Sequence, residues 1–480
     1  MERIKNLLKR SRLLYEDLQT FLSPHRGTKG FYLHSLLSLF RQGFKRLKIV
    51  LSEGGKKIFI KIAASGAFLL SMRDRFPKML PALKSGELRR RWASEVRLLI
   101  PNIWKSIFRH PFPVTEKDQV RISLNNFFLH LHPPRVKRHG LKFTYTFGLG
   151  GLSLLLFIIE TVTGGFLMLY YIPSTEKAYS SYKDMLFTAS FARLMQNLHH
   201  WAGHGMIVAV FLHMYRVFYT GAYKRPREFN WVVGVFLFVF TLALSYTGYL
   251  LPWDQLAFWA ITVGSEIAQA APFIGEQVKF SLLGGDMVGQ GALIRFYVLH
   301  VFILPLIAGV LVAIHFWRIR KDGGISGPPL ASPGEDKKKE ETVPSFPNLV
   351  NRELTFAVAS SAAFLLLSYF LNAPLEELAN PNKVPNPAKA PWYFTGLQEM
   401  VSWGAPSIGG IILPGLIVLS LLFLPYLDRD PRGVGIWFAR ERRPVILMFT
   451  VVFGYLIVVT IIGSLFRGEN WSLVLPWGGG

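Results

Sequence analysis

The sequence predicts an all-α integral membrane protein: a basic helical extension, then a four-helix bundle, then three further transmembrane helices. Hydrophobic residues make up 51% of the 480 residues, yet the formal net charge is +24. The charge is concentrated, because residues 1–110 hold 24 Lys and Arg against 7 Asp and Glu. Later stretches are apolar and almost uncharged. Two regions exposed to different solvents are therefore predicted.

The first region, residues 1–115, is predicted to be an amphipathic extension on the cytoplasmic face of a membrane, attracted to anionic lipid. Its apolar stretch 58–71 is shorter than the ~20 residues that a bilayer core requires, so an interfacial helix is favoured there. The N-terminus lacks the apolar core of a signal peptide. Basic segments also bind nucleic acid. No nucleic-acid motif is evident, however, and no such partner is expected.

Seven later stretches are apolar and near the ~20 residues of a transmembrane helix. The loops after the second, fourth and sixth stretches are rich in Lys and Arg, which accumulate on the cytoplasmic side of membranes. The other loops are neutral or slightly acidic and are predicted to face outward, with the N-terminus cytoplasmic. The predicted spans are 145–171, 198–220, 231–251, 293–319, 354–371, 408–427 and 444–466.

A stretch rich in Gly, Pro and charge, GISGPPLASPGEDKKKEE, separates the fourth span from the fifth. Such composition is typical of a linker. The predicted domains are therefore the extension at 1–115, a four-helix domain at 116–325, a linker at 326–350 and a three-helix domain at 351–480.

Two predicted spans carry regularly spaced histidines, which are costly inside a membrane. His199 and His213 are 14 residues apart in the second span, which places them about 40° apart around a helix and about 21 Å apart along it. His300 and His315 are 15 apart in the fourth span, with Pro305 between them able to bend and re-register the helix. Both spans run inward, so His199 can face His300 near the outer surface and His213 can face His315 near the inner one.

Two planar iron macrocycles, each held by two imidazoles, require this arrangement. His200 and His204 lie on another face and are interpreted as hydrogen-bonded core residues. Glycine pairs in the first and third spans are also 14 residues apart, and the lack of a side chain would admit a flat ring. Small residues also let membrane helices approach closely, which is the alternative explanation. The glycines are Gly150, Gly164, Gly234 and Gly248.

Cysteine is absent from the sequence. This excludes disulfides, thiolate-held iron–sulfur clusters and any covalent haem linked through a Cys thioether on this chain.

With these residues the chain resembles the cytochrome b family. Residues 126–329 resemble its haem-binding half and residues 347–477 its quinol-site half, here fused in one chain. The histidine spacings, with TGYLLPWDQLAFWA after the third span and IRKDGGISGPPL after the fourth, are most similar to the photosynthetic, split form.

The resemblance implies two non-covalent b haems, with iron held by His199 and His300 at the outer level and by His213 and His315 at the inner level. The outer pair would hold the low-potential haem. Arg216 and Arg295 match arginines of the family and are predicted to contribute to cofactor binding.

The resemblance further implies an outer quinol-oxidising pocket beside Trp392 and Tyr393, transmembrane electron transfer to an inner quinone site, and coupled proton translocation. Menaquinone is one candidate for the quinone, and the inner-site candidates are Arg320, Lys321 and Asp322. The expected partners are a Rieske iron–sulfur protein, a c-type cytochrome subunit, the quinone pool and membrane lipid. A homodimeric complex in a bacterial cytoplasmic membrane is implied.

Three positions depart from the family pattern. Gly148 stands where the photosynthetic form has the Cys that anchors a third haem. The family's PEWY motif reads APWY from Ala390, so its acidic proton acceptor is missing and Glu399 is the candidate substitute. Gln196 replaces the Arg that usually lies three residues before the first histidine.

Two other functions suit histidines inside a membrane. A di-haem anchor of a dehydrogenase would have one quinone site and no Rieske partner, but the TGYLLPWDQ and PWYF loops argue against it. A transporter with histidine proton relays would show no b-haem absorption after dithionite reduction.

Overall fold

The computed structural model describes residues 114–466, apart from 127–128, 189, 329–341 and 386–387, together with the isolated residues Ala93, Arg97 and Leu473. The chain divides into two units, Met1–Phe112 and Pro113–Gly480. The elements given below belong to the second unit. Most of the predicted extension, including its interfacial helix at 58–71, and most of the predicted linker lie outside the described residues.

The predicted fold class is confirmed, because the described chain is mostly helical and its two strands have three residues each. The helices are α1 Glu116–Asn125, α2 Phe143–Thr146, α3 Leu149–Leu167, α4 Ala178–Thr188, α5 Ser190–Tyr219, α6 Glu228–Tyr249, α7 Gln255–Gln269, α8 Gly275–Leu283, α9 Gln290–Val298, α10 Leu304–Lys321, α11 Ser345–Asn348, α12 Val350–Phe370, α13 Trp392–Ser402, α14 Leu413–Leu427 and α15 Arg443–Leu465. Two π-helical turns, Leu299–Ile303 and Ser407–Ile412, lead into α10 and α14. Short 3₁₀ turns lie at Leu129–Leu131, Arg138–Leu141 and Arg440–Arg442.

Six helices of the described chain are long and apolar enough to cross a membrane, by length and composition. Each coincides with a predicted span. The second predicted span corresponds to α5, which has 30 residues but lies outside this apolar set, because four histidines and two arginines interrupt its sequence. The six are Leu149–Leu167, Glu228–Tyr249, Gln290–Lys321, Val350–Phe370, Ser407–Leu427 and Arg440–Leu465.

The first span begins later than predicted. Phe147 and Gly148 both adopt left-handed backbone conformations, with φ of 50° and 64°, and they separate α2 from α3. A Cβ on Gly148 would lie 2.8 Å from the ring of Phe356. Position 148 therefore requires glycine for two reasons, its backbone conformation and the aromatic ring of α12 packed against it.

The two halves pack against each other through an apolar core. Phe218 of α5 stacks on Phe449 of α15, with ring centroids 3.6 Å apart. Trp231 of α6 donates its indole N–H to the Leu421 carbonyl of α14 at 2.6 Å. Strand β1 Arg135–Lys137, which precedes the first span, pairs antiparallel with strand β2 Thr342–Pro344, which lies in the second part of the predicted linker. The halves thus form a continuous interface.

Three buried charges join the same halves at one end of the helices. Lys224, in the loop after α5, lies 2.8 Å from a carboxylate oxygen of Asp428 after α14. Arg442, which precedes α15, approaches Asp428 at 3.7 Å and donates to the Phe218 carbonyl at 2.8 Å. Buried charges are stable only when paired in this way.

Candidate functional site

The four predicted ligand histidines lie in two facing pairs between α5 and the continuous helix α9–α10. The ring centroids of His199 and His300 are 6.0 Å apart, and those of His213 and His315 are 6.4 Å apart. The earlier histidine of one helix faces the earlier histidine of the other, so the two helices run in the same direction. The pairing predicted from the spacing is therefore present in the structure.

The ring separations suit one metal ion between each pair. An imidazole nitrogen lies about 2 Å from a bound metal ion, and each ring adds roughly 1 Å from nitrogen to centroid, so two opposed ligands have centroids about 6 Å apart. The described residues contain no cluster of three or more His, Cys, Asp or Glu that could hold a metal ion. A two-ligand arrangement around a macrocycle that supplies the remaining donors fits this geometry.

A π-helical turn aligns the fourth span with the second. Leu299–Ile303 contains His300 and lies just before Pro305. Such a turn accommodates one extra residue relative to an α-helix, so the 15-residue spacing of His300 and His315 acts as a spacing of 14. The predicted change of helix register between His300 and His315 is therefore produced by a π turn beside Pro305.

The hydrogen bonds of the first pair fix which nitrogen is available. Nδ1 of His300 lies 3.0 Å from the Leu244 carbonyl, an acceptor that requires a proton on Nδ1. Nδ1 of His199 lies 2.9 Å from the Thr163 hydroxyl and 3.0 Å from a Glu160 carboxylate oxygen. In each ring Nε2 then keeps its lone pair for a metal.

Each of the four predicted glycines lies against one of the four histidines. A Cβ on Gly150 would be 3.2 Å from Cε1 of His213, which is tighter than ordinary contact. At Gly150, Gly164 and Gly248 an added Cβ would crowd the imidazole ring, whereas at Gly234 it would only reach ordinary contact with the ring. The pairs are Gly164 with His199, Gly150 with His213, Gly248 with His300, and Gly234 with His315.

All four histidines line one apolar cavity of about 1750 Å³, larger than the ~300–1,000 Å³ of usual small-molecule pockets. Arg216 also lines it. The Arg216 guanidinium lies 4.3 Å from the Tyr145 ring centroid, and its buried Nη2 has no hydrogen-bond partner among the described residues. Buried polar atoms are normally paired, so this nitrogen suits an acidic substituent of a bound macrocycle.

The other predicted polar residues are placed differently. Gln196 lines the cavity and donates to the Tyr182 hydroxyl. Arg295 is exposed, is absent from the cavity lining, and donates to the Gly291 carbonyl of its own helix at 3.0 Å. Asp322 pairs with Arg318 at 2.9 Å.

The PWY motif begins a short helix, α13, whose N-cap is Pro391. Tyr393 lines the cavity, and burial raises the pKa of its hydroxyl above the usual range, so the neutral hydroxyl can donate. Trp392 donates its indole N–H to Nδ1 of His204 at 2.9 Å. The His204 and Tyr393 ring centroids are 5.7 Å apart.

Glu399 lies seven residues after Trp392, in the same helix α13. It is 2% exposed and accepts the Trp403 indole N–H at 2.6 Å. It does not line the cavity, whereas Glu376 does.

Sequence reasoning missed two contacts of this site. His204 had been interpreted as a hydrogen-bonded core residue, but its partner Trp392 was not predicted. Glu160 had not been singled out although it contacts His199. A single carboxylate in the apolar span 145–171 was the available signal for Glu160.

Both halves of the chain match known proteins. The family model of the cytochrome b N-terminal domain and b6 matches residues 204–387, and that of the cytochrome b C-terminal domain matches residues 378–476. Cytochrome b6 of Heliobacterium mobile is 50% identical over 198 residues, which are 41% of this chain and 90% of that protein.

The menaquinol:cytochrome c reductase cytochrome b subunit of Bacillus subtilis (strain 168) is 42% identical over 238 residues, 49% of this chain and 96% of that protein. Among solved structures, a chain of a hyperthermophilic respiratory complex III is 32% identical with a TM-score of 0.60, covering 69% of this chain and 86% of that chain. The chain therefore belongs to the cytochrome b family, the multi-pass membrane subunits of quinol-oxidising complexes of the bc and b6f type.

Proposed function

We propose that this chain binds two non-covalent b haems, one between His199 and His300 and one between His213 and His315. The observation that carries the proposal is the pair of opposed imidazoles at each of two levels, with centroids 6.0 and 6.4 Å apart. Haems bound there would supply one-electron transfer along the bundle. The four glycines admit the imidazole rings, and Arg216 would bind an acidic haem substituent.

The proposed direction of transfer follows from loop charge. The loops after α5, α10 and α14 carry most of the basic residues between the spans, and these loops adjoin the His213 and His315 level. Basic loops are typically cytoplasmic. We propose that this level is the inner one, and that Arg320, Lys321 and Asp322 lie near an inner quinone site.

The proposed quinol pocket lies at the other level, where Tyr393 lines the cavity beside His204. Because Trp392 donates to Nδ1 of His204, the neutral ring carries its proton on Nε2. His204 and Tyr393 can then both donate to a quinol oxygen. Neither is suited to accept the quinol proton in that state, which calls for a nearby carboxylate. The proposed acceptor is Glu399, which is buried on the same short helix as Tyr393, and the alternative is Glu376, which lines the cavity.

The proposed partners follow from composition and from the relatives. With no cysteine, the chain cannot itself hold a Rieske cluster or a thioether-linked haem, so a Rieske protein and a c-type cytochrome subunit would be separate chains. The reductase of Bacillus subtilis acts on menaquinol, as its name states. We propose menaquinol oxidation on the outer side, proton release there, and a homodimeric complex in a bacterial cytoplasmic membrane.

Haem stoichiometry tests this function. Pyridine haemochrome analysis of the purified chain is expected to give two haems per chain, both removed by acid-acetone extraction. One haem per chain, or haem that resists extraction, would contradict the proposal. No b-haem absorption after dithionite reduction would point to a transporter with histidine proton relays.

A further inference from the structure

Glu160 is the one ionisable residue of α3, and charges inside membrane spans require a specific reason. Its carboxylate oxygen Oε2 lies 3.0 Å from Nδ1 of His199. Its other oxygen, Oε1, is buried and has no hydrogen-bond partner among the described residues. The negative charge is therefore directed at the histidine and is not shared with another described donor.

The neighbouring residues of α3 hold this contact in place. The Thr163 hydroxyl donates to the Ile159 carbonyl at 2.7 Å, so it presents a lone pair to Nδ1 of His199 at 2.9 Å. Gly164 leaves the space into which the same imidazole fits. One face of α3 thus positions a single ring and supplies two acceptors for its N–H.

The other three paired histidines lack such a charge. Nδ1 of His300 faces the Leu244 carbonyl and the Thr247 hydroxyl, at 3.0 and 3.2 Å, and both groups are neutral. In the described part of the chain, none of His300, His213 and His315 has a carboxylate within ion-pair distance. The charge is therefore asymmetric between the two levels.

We propose that Glu160 is a positioning residue that lowers the reduction potential of the haem held by His199 and His300, an inference that rests on the haem ligation proposed above. Ligation through Nε2 requires the proton on Nδ1, and this N–H then donates a hydrogen bond to the Glu160 carboxylate. An imidazole whose N–H is bonded to a carboxylate becomes more basic. A more electron-rich ligand and a nearby negative charge both favour ferric over ferrous iron, and such bonds and charges are known determinants of haem potential.

Redox titration of the b-haem absorbance at fixed pH tests the proposal on the purified full chain with its haems. Glu160→Gln keeps the size and an acceptor oxygen but removes the charge. In this variant the equilibrium constant for reducing one haem is expected to rise at least tenfold, which corresponds to a rise in reduction potential of about 59 mV for one electron. The other haem is expected to titrate as in the wild type. The matched control is Thr247→Val, which leaves the Leu244 carbonyl as acceptor and is expected to shift neither haem.

A titration of Glu160→Gln identical to that of the wild type would overturn the proposal, and so would an equal shift of both haems. If Glu160→Gln does not retain haem, the proposal is tested by redox titration of Thr163→Val. In Thr163→Val the Glu160 carboxylate is the sole remaining acceptor for the His199 N–H, so the reduction potential of the haem held by His199 is expected to stay unchanged or fall. A rise would contradict the role of Glu160. Electron paramagnetic resonance of the ferric haems is expected to show one altered low-spin signal in Glu160→Gln. Failure of the haem proposal itself is distinct, because the wild type would then lack two haems.

Discussion

At the scale of single residues, each paired histidine is expected to be essential for one haem only. The two levels are about 21 Å apart along α5, so losing a ligand at one level leaves the other intact. His199→Ala or His300→Ala should remove the haem near Tyr393, and His213→Ala or His315→Ala the other haem. Haem content and redox titration of the b-haem absorbance measure this.

The matched control for the ligands is His200→Ala, which should retain both haems because His200 belongs to neither facing pair. If His200→Ala lost a haem while His199→Ala kept both, the register of α5 argued above would be wrong.

The glycines of α3 allow a sharper comparison, because Gly150 and Gly164 each lie next to a second glycine. A Cβ on Gly150 would press on His213 at 3.2 Å, whereas a Cβ on Gly151 would meet nothing within 4 Å. Gly150→Leu should therefore displace His213 and lower haem occupancy at that level, while Gly151→Leu should bind both haems. Equal haem content in the two variants would show that close packing at position 150 is unimportant.

The proposed proton acceptor of the quinol pocket can be tested by removing its charge. Glu399→Gln is expected to slow quinol oxidation at least tenfold, since an apolar pocket without a base retains the quinol proton and general-base groups contribute about 10²–10⁴-fold. Both haems should still bind and be reducible from the other level. Stopped-flow haem reduction by quinol measures the rate.

Glu376→Gln is the companion variant for that measurement, because Glu376 lines the cavity and Glu399 does not. Normal oxidation in Glu399→Gln together with slow oxidation in Glu376→Gln would reassign the acceptor to Glu376.

At the scale of helices, hydropathy predicted most of the architecture. Six predicted spans coincide with apolar helices, since about twenty apolar residues without charge have few alternatives in a membrane. The start of α3 was predicted too early, because Tyr145 belongs to α2 and hydropathy does not register the left-handed residues Phe147 and Gly148. The loop helices α4, α7 and α8 were not predicted, since they are short and depend on packing.

The candidate site, like the fold, was predictable from sequence only where it depends on the pattern within a single helix. Spacing along a helix was enough to pair His199 with His300 and His213 with His315, because 3.6-residue periodicity is local. The contacts of Glu160 with His199 and of His204 with Trp392 join segments far apart in sequence. Such contacts depend on how helices dock, which the pattern within one helix does not contain.

The ion cluster that joins helices of the two halves should be sensitive to loss of one member. Asp428→Ala would strand the side chains of Lys224 and Arg442, which are 3% and 1% exposed. Breaking a buried pair in this way typically costs about 3–5 kcal/mol. The thermal unfolding midpoint of the detergent-solubilised protein should fall clearly.

Asp430→Asn is the matched control for that cluster. Hydrogen bonding to Arg432 lowers the pKa of Asp430 to about 2, but this pair is exposed to solvent, and exposed pairs contribute little. The unfolding midpoint of Asp430→Asn should match the wild type. A similar fall of the unfolding midpoint in both variants would mean that the stabilisation of the protein by Asp428 does not depend on its burial.

At the scale of the whole molecule, the two halves are expected to remain together after the connection between them is cut. The halves are joined by contacts that lie outside the proposed cleavage site, namely Phe218 with Phe449, Trp231 with Leu421 and the strand β1 with β2. A protease site introduced within residues 333–337 and then cleaved should leave two fragments that co-purify with both haems. Size-exclusion chromatography with haem absorbance measures this, and uncleaved protein is the control. Separation of the fragments would show that the linker, rather than the interface, holds the halves.

The fusion of the two halves in one chain has a consequence for how a substitution in the interface between them would act. A covalent connection gives one half a high effective concentration near the other and fixes their stoichiometry at one to one. A substitution that would dissociate two separate subunits is then expected only to loosen this fused chain.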